Sequence, residues 1–164
     1  RVVMQNIDLS CVGKLNASYF AAGVAEYQKR LSSFCNFRII ELPEVAIADK
    51  NASDKQIAKA LQKEGESILH SVRKGGYLVA LCVEGKQISS EELAAMLAQR
   101  AGSGAGDVAF VIGSSHGLDE SVKRAAQARI SLGRITLPHQ LARLVLTEQI
   151  YRACTINAGM KYHK

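Results

Sequence analysis

Tyr77-Leu-Val-Ala-Leu-Cys-Val83 is apolar along almost its whole length. Such a run suits a strand buried on both faces of a parallel sheet. Val108-Ala-Phe-Val-Ile112 is a second run of the same kind. Gly75-Gly76 breaks the chain before the first run, and Glu84-Gly85-Lys86 reads as the turn that ends it. Outward from these two strands the pattern alternates. A capping residue at Ser53 or Asp54 opens a helix to about residue 72, with Ile57, Leu61, Ile68 and Leu69 on one side. Ser89 or Ser90 followed by Glu91 and Glu92 opens another, ending near residue 100. Upstream, residues 7–12 and 37–42 read as strands around a helix over residues 17–31, where Tyr19, Phe20, Val24, Tyr27 and Leu31 recur at helical spacing. Downstream come a short helix over 119–126, a short strand over 128–132 and a long helix from about 138 to 154. The fold class is therefore α/β, a mostly parallel sheet flanked by helices.

The 164 residues suit a single domain, with residues 1–5 as a short extension and residues 157–164 as a polar tail. Residues 44–55 and the glycine-rich residues 102–106 read as flexible connections. No apolar run approaches the ~18 residues of a membrane span, and no secretory pattern is visible at the start. Cys11, Cys35, Cys82 and Cys154 are widely spaced, without a C-x-x-C pair or a zinc-like cluster, and Cys11, Cys82 and Cys154 sit in apolar runs. A reducing, cytoplasmic compartment with no metal is the expectation. Lys plus Arg exceed Asp plus Glu by 21 to 15, a net charge of +6, which is compatible with a nucleic-acid partner.

Four places could carry chemistry. Gly113-Ser-Ser-His-Gly117 follows a buried strand and precedes a helix, where open α/β sheets collect ligands; an ordinary strand-to-helix turn is the plainer alternative. Leu132-Gly-Arg-Ile-Thr-Leu-Pro-His139 is an apolar yet irregular approach to the last helix, which Pro138 is placed to open. Its backbone N–H and C=O groups need partners, and a ligand is one possible partner. Glu148 and Arg152 stand four apart in acid-first order, the spacing of an intrahelical ion pair. Lys161-Tyr-His-Lys164 reads by composition as a frayed end, yet offers cations, a titratable ring and an aromatic suited to phosphate contact and base stacking. Neither a phosphate-binding P-loop nor a G-x-S-x-G elbow occurs, and His70 reads as structural or exposed.

Taken together, Val111-Ile-Gly113 with Gly117-Leu118, Ser131-Leu132 through Thr136-Leu-Pro-His139, and Glu148-Gln-Ile-Tyr-Arg-Ala153 with terminal Tyr162-His-Lys164 resemble one family. It is the bacterial large-subunit ribosomal pseudouridine N3-methyltransferases, small members of the SPOUT class. Val12-Gly-Lys14, Glu26-Tyr27, Arg30-Leu31 and Lys63-Glu-Gly-Glu66 fit as well, so the resemblance runs along nearly the whole chain. It implies a C-terminal deep trefoil knot, a device almost absent from folds generally. It implies S-adenosylmethionine as cofactor, held by Leu81, Cys82, Gly113, Ser114, Arg134, Ile135, Thr136, Leu137, Pro138 and His139. It further implies a homodimer with the last helix near the interface, and N3 methylation of a pseudouridine in 23S ribosomal RNA on the assembled ribosome. Tyr162 and His163 would place the base or accept its proton, and Arg152 or Lys164 would stabilise charge or phosphate. The sequence departs from the family pattern at Ser114, Ser115, His116 and Lys161. A non-enzymatic RNA- or ribosome-binding module is the alternative, separated by whether S-adenosylmethionine binds. An enzyme acting on a small nucleotide is a third reading, separated by whether RNA is needed.

Overall fold

The computed structural model describes residues 4–47, 51–103 and 106–164. Arg1, Val2 and Val3 of the expected extension lie outside the described residues, as do parts of the two expected connections at 48–50 and 104–105. Strands and helices alternate: β1 Asn6–Val12, α1 Ser18–Leu31, β2 Asn36–Leu42, α2 Asp54–Ser71, β3 Tyr77–Gln87, α3 Ser90–Ala101, β4 Val108–Ile112, α4 Glu120–Ala125, β5 Ala128–Ser131 and α5 His139–Asn157. The five strands form one parallel sheet in the order β2-β1-β4-β3-β5. Gln5 is tied down, its side chain donating to the Leu97 carbonyl at 3.1 Å and its own carbonyl accepting from Asn36, so it is part of the fold and not of an extension.

Side-chain alternation along the strands divides the core in two. Ile7, Leu9, Val79, Val108, Phe110 and Ile112 pack with Leu31, Leu93, Leu97, Leu146 and Ile150. On the opposite face Leu78, Ala80, Ala109 and Val111 pack with Ile68, Leu118 and Val122. Helices α1, α3 and α5 thus cover one face and α2 and α4 the other, which is why β4 is apolar at every position. Each fully buried aliphatic side chain contributes about 1.5–3 kcal/mol. Cys11 and Cys35 are buried whereas Cys82 and Cys154 are only half-buried, so the apolar run around a cysteine did not forecast its depth.

Helix starts follow local chemistry. Ser53 with Gln56 and Ser89 with Glu92 form capping boxes, each hydroxyl accepting an amide hydrogen from three residues on and each later side chain accepting one back. Pro138 stands just outside α5: its ψ of 144° is extended, so the helix begins at His139 and the Pro138 carbonyl accepts from Ala142.

Two expectations fail for identifiable reasons. Glu84-Gly-Lys86 is no strand-ending turn, because β3 runs on to Gln87 through a bulge in which Ile130 pairs with Leu81 and again with Lys86. Gly85 permits this, since a Cβ there would lie 2.5 Å from the Ile130 carbonyl carbon. The tail is not frayed: Tyr162 packs edge-on against Tyr151, ring centroids 4.8 Å apart.

Candidate active site

A cleft of about 340 Å³ opens at the carboxyl ends of β3, β4 and β5. Three stretches of wall enclose it. The β3 bulge gives Leu81, Cys82, Val83 and Glu84; the end of β4 and the turn after it give residues 112–118; the end of β5 and the stretch after it give residues 131–133 and 135–137, closed by His139 and Ala142. Every residue assigned to the cofactor by resemblance lines this cleft except Arg134 and Pro138. The size is that of a small-molecule site.

Among the described residues, residues 134–137 make no backbone hydrogen bond to other backbone. The wall therefore offers free N–H and C=O groups beside the apolar side chains of Leu81, Ile112, Leu132 and Leu137. That combination fits S-adenosylmethionine, whose adenine needs an apolar slot with polar backbone at its edge. Gly113 and Gly117 shape the β4 turn, where a Cβ at Gly113 would fall 2.2 Å from the Gly117 carbonyl oxygen. Gly117 and Gly133 hold φ of +90° and +124° with open space where a side chain would project. Ile135 and Val83, 82% and 72% exposed, stand as apolar lips.

Charge is fixed at one side of the cleft. Lys123 Nζ lies 2.6 Å from Glu84 Oε1 and 3.5 Å from Glu120 Oε1. The Glu84 contact holds the lysine above its ordinary pKa and the lysine holds Glu84 below its own. Burial, then Glu84, pushes the Cys82 thiol up, so it is a neutral wall residue and not a thiolate.

Ser114 is anchored from below. Its hydroxyl donates to Glu64 Oε1 at 3.0 Å, and the Val45 amide donates to Glu64 Oε2 at 2.9 Å. Glu64 is 4% exposed. Sequence reasoning gave it no role, although it stands on the apolar side of α2 at the spacing of Ile57, Leu61 and Ile68. An acid on such a stripe needs partners, and that was the available signal.

Arg152, Tyr162 and His163 form a second group that lines no part of the cleft. The Tyr162 hydroxyl donates to Glu148 Oε2 at 2.7 Å, and Arg152 Nη2 reaches the same oxygen at 2.7 Å. Arg152 also lies over the Tyr162 ring, 5.0 Å from its centroid. The expected Glu148–Arg152 pair is thus present, with the tail docked on it. Burial, then the bonds to Glu148 and Tyr27, raises the Tyr162 pKa well above the ordinary phenol value, and Glu148 holds Arg152 firmly cationic. His163 Nε2 is 2.7 Å from Glu91 Oε1 in the first turn of α3, while its Nδ1 is buried without a partner among the described residues. Among the described residues no group of three or more His, Cys, Asp or Glu could hold a metal, and no helix is long and apolar enough to cross a membrane.

Residues 5–163 match the family model described as predicted SPOUT methyltransferase. A protein of Pediococcus pentosaceus named ribosomal RNA large subunit methyltransferase H is 50% identical over 159 residues, 97% of this chain and 99% of that protein. A protein of the same name from Streptococcus equi subsp. zooepidemicus is 48% identical over 158 residues, 96% and 99% of the two chains. Among solved structures, a probable methylase family protein of Haemophilus influenzae superposes with a TM-score of 0.53 at 13% identity, over 99% of this chain and 72% of that one. TrmJ from Z. mobilis gives 0.53 at 14% identity, over 93% and 70%. At that identity the two structures support the α/β fold alone. The full-length relatives and the family model support more: the chain belongs to the SPOUT methyltransferase family.

Proposed function

We propose that this chain transfers a methyl group from S-adenosylmethionine to N3 of a pseudouridine in large-subunit ribosomal RNA, acting on the assembled ribosome in the cytoplasm. The observation that carries the reading is the cleft, whose three walls come from the segments the family resemblance assigns to the cofactor. The names of the full-length relatives point to the same RNA. S-adenosylmethionine supplies an already activated methyl on sulfur, so the protein's work is alignment and proton removal.

Backbone groups of residues 134–137 would hold the cofactor's polar edges, and Leu81, Ile112 and Leu137 its apolar ones. Glu84 faces the cleft already paired with Lys123, so the two together set the polarity of that side. His163, anchored through Nε2 on Glu91, would place the base or accept its N3 proton. Tyr162, held neutral, places the base, and Arg152 steadies negative charge on the base or on phosphate.

The C-terminal part is threaded as a trefoil knot. In support, the chain after β5 returns past the end of β3 to reach β1: the Asn16 amide donates to Gln140 Oε1 at 2.8 Å, and Arg143 Nη2 to the Gly13 carbonyl at 3.0 Å. The single domain works as a homodimer packed through α5, on which Leu141, Leu144 and Val145 keep part of their surface open. Because the tail group lines no part of its own cleft, the second copy completes each site.

Calorimetry with S-adenosylmethionine and a methylation assay on ribosomes and free subunits test the reading. Deleting residues 162–164 is expected to leave cofactor binding within twofold and to remove methylation at least 100-fold. Mixing the deletion with a full-length partner impaired in the cleft by Gly113→Val should restore part of the activity. Undiminished methylation by the deletion variant would overturn the role of the tail, and failure to bind S-adenosylmethionine would favour the non-enzymatic module.

A further inference from the structure

Helix α2 bears Lys55, Lys59 and Lys63, spaced four apart and all exposed. That spacing stacks them on one face, ~6 Å apart along the axis. Three cations on other helices pair with acids three or four positions away: Arg30 with Glu26, Lys123 with Glu120, Arg152 with Glu148. The α2 lysines make no ion pair among the described residues. Each instead neighbours another lysine at the spacing that disfavours a helix when charges are alike. A face serving solvation alone would be expected to interleave signs; here Asp54 lies before the stripe and Glu66 beyond it. Lys59 and Lys63 also border a groove of about 300 Å³ between α2 and Val45, Ala46 and Ile47.

The next residue, Glu64, turns inward to hold Ser114 in the cleft wall. The same helix therefore carries a cationic edge and a support of the cofactor site. We infer that Lys55, Lys59 and Lys63 form a track for the phosphate backbone of the substrate RNA, which lays the RNA beside the cleft. This rests on the proposed rRNA methylation and adds the surface that engages the RNA. The stripe spans ~12 Å, the reach of a few consecutive phosphates. Charge complementarity selects an RNA backbone, because the groove's remaining lining of Val45, Ala46, Ile47, Gln56 and Ala60 offers no second charge pattern for a protein partner.

The test compares the wild type with Lys55→Gln/Lys59→Gln/Lys63→Gln on assembled ribosomes across a potassium chloride series. The triple variant should raise KM for ribosomes at least 10-fold near physiological salt, with kcat and S-adenosylmethionine affinity changed less than twofold. Its log-log slope of kcat/KM against salt should be shallower by about 2, since each lost phosphate contact removes roughly 0.7–0.9. A triple lysine-to-arginine variant should recover the wild-type KM. Lys29→Gln/Lys74→Gln/Lys86→Gln, with the same change in net charge, should stay near it. Duplex RNA added as competitor should inhibit the wild type more strongly than the glutamine variant. An unchanged KM and salt slope, equal damage from the control triple, or equal inhibition of both proteins by duplex RNA would overturn the inference. If the wild type fails to methylate ribosomes, the proposed function falls. Filter binding of the wild type and the glutamine variant to a large-subunit rRNA transcript then decides the track separately, and equal affinities would overturn it.

Discussion

Tyr162 shows how much one hydroxyl arranges. Its bond to Glu148 gathers the tail, α5 and the Arg152 guanidinium around one carboxylate. Tyr162→Phe removes that bond and should lower stability by about 1 kcal/mol in urea denaturation at neutral pH. The folded phenol ionises at higher pH than the unfolded one. Its contribution is therefore complete below the ordinary phenol pKa of ~10 and is lost as pH rises through the raised value. Melting curves should show the wild type losing stability above about pH 10 more steeply than Tyr162→Phe; parallel curves would contradict this account. The ion pair beneath Tyr162 was legible in the four-residue spacing of Glu148 and Arg152. The tyrosine's part was not, because residues 14 apart meet only after the chain has turned back at Gly159, where φ is +70°.

Among the elements, β3 departs most from its sequence pattern. Its apolar residues 77–83 announced a buried strand, and the strand is there. Its continuation through Glu84 and Gly85 rests on a register shift against β5, which is a pairing between distant segments and leaves no local periodicity. The bulge places Cys82, Val83 and Glu84 in the cleft wall, so its shape is part of the site. Gly85→Ala would push a methyl group against the Ile130 backbone and force the bulge outward. The expected result is a loss of about 1–3 kcal/mol in thermal or urea unfolding and at least a 10-fold weaker S-adenosylmethionine affinity by calorimetry. Preserved affinity would show that the bulge does not shape the cleft. Helix boundaries were more accessible, because a Ser with a Gln or Glu three positions later satisfies the first free amides locally.

At the scale of the molecule, Arg143 closes the fold. It lies on α5 at 2% exposure, and its guanidinium reaches Glu41 of β2 at 2.6 Å and the Gly13 carbonyl after β1 at 3.0 Å. The last helix is thereby fixed to the sheet edge opposite β5. Arg143→Ala leaves that carbonyl unpaired beside a cavity and should cost about 2 kcal/mol, read as a lower urea midpoint with an unchanged slope. By itself the sequence determined the alternation of strands and helices, the two fully apolar strands and the capping residues, because those follow from side-chain chemistry over a few neighbouring positions. It also supplied the motifs whose family membership the full-length relatives bear out. Only the tertiary structure decided that β3 lies between β4 and β5, that Glu64 reaches Ser114, and that the tail docks on α5 away from its own cleft. These are contacts between residues far apart in the chain, and their geometry is set by how the whole sheet and its covering helices pack, which no local spacing encodes.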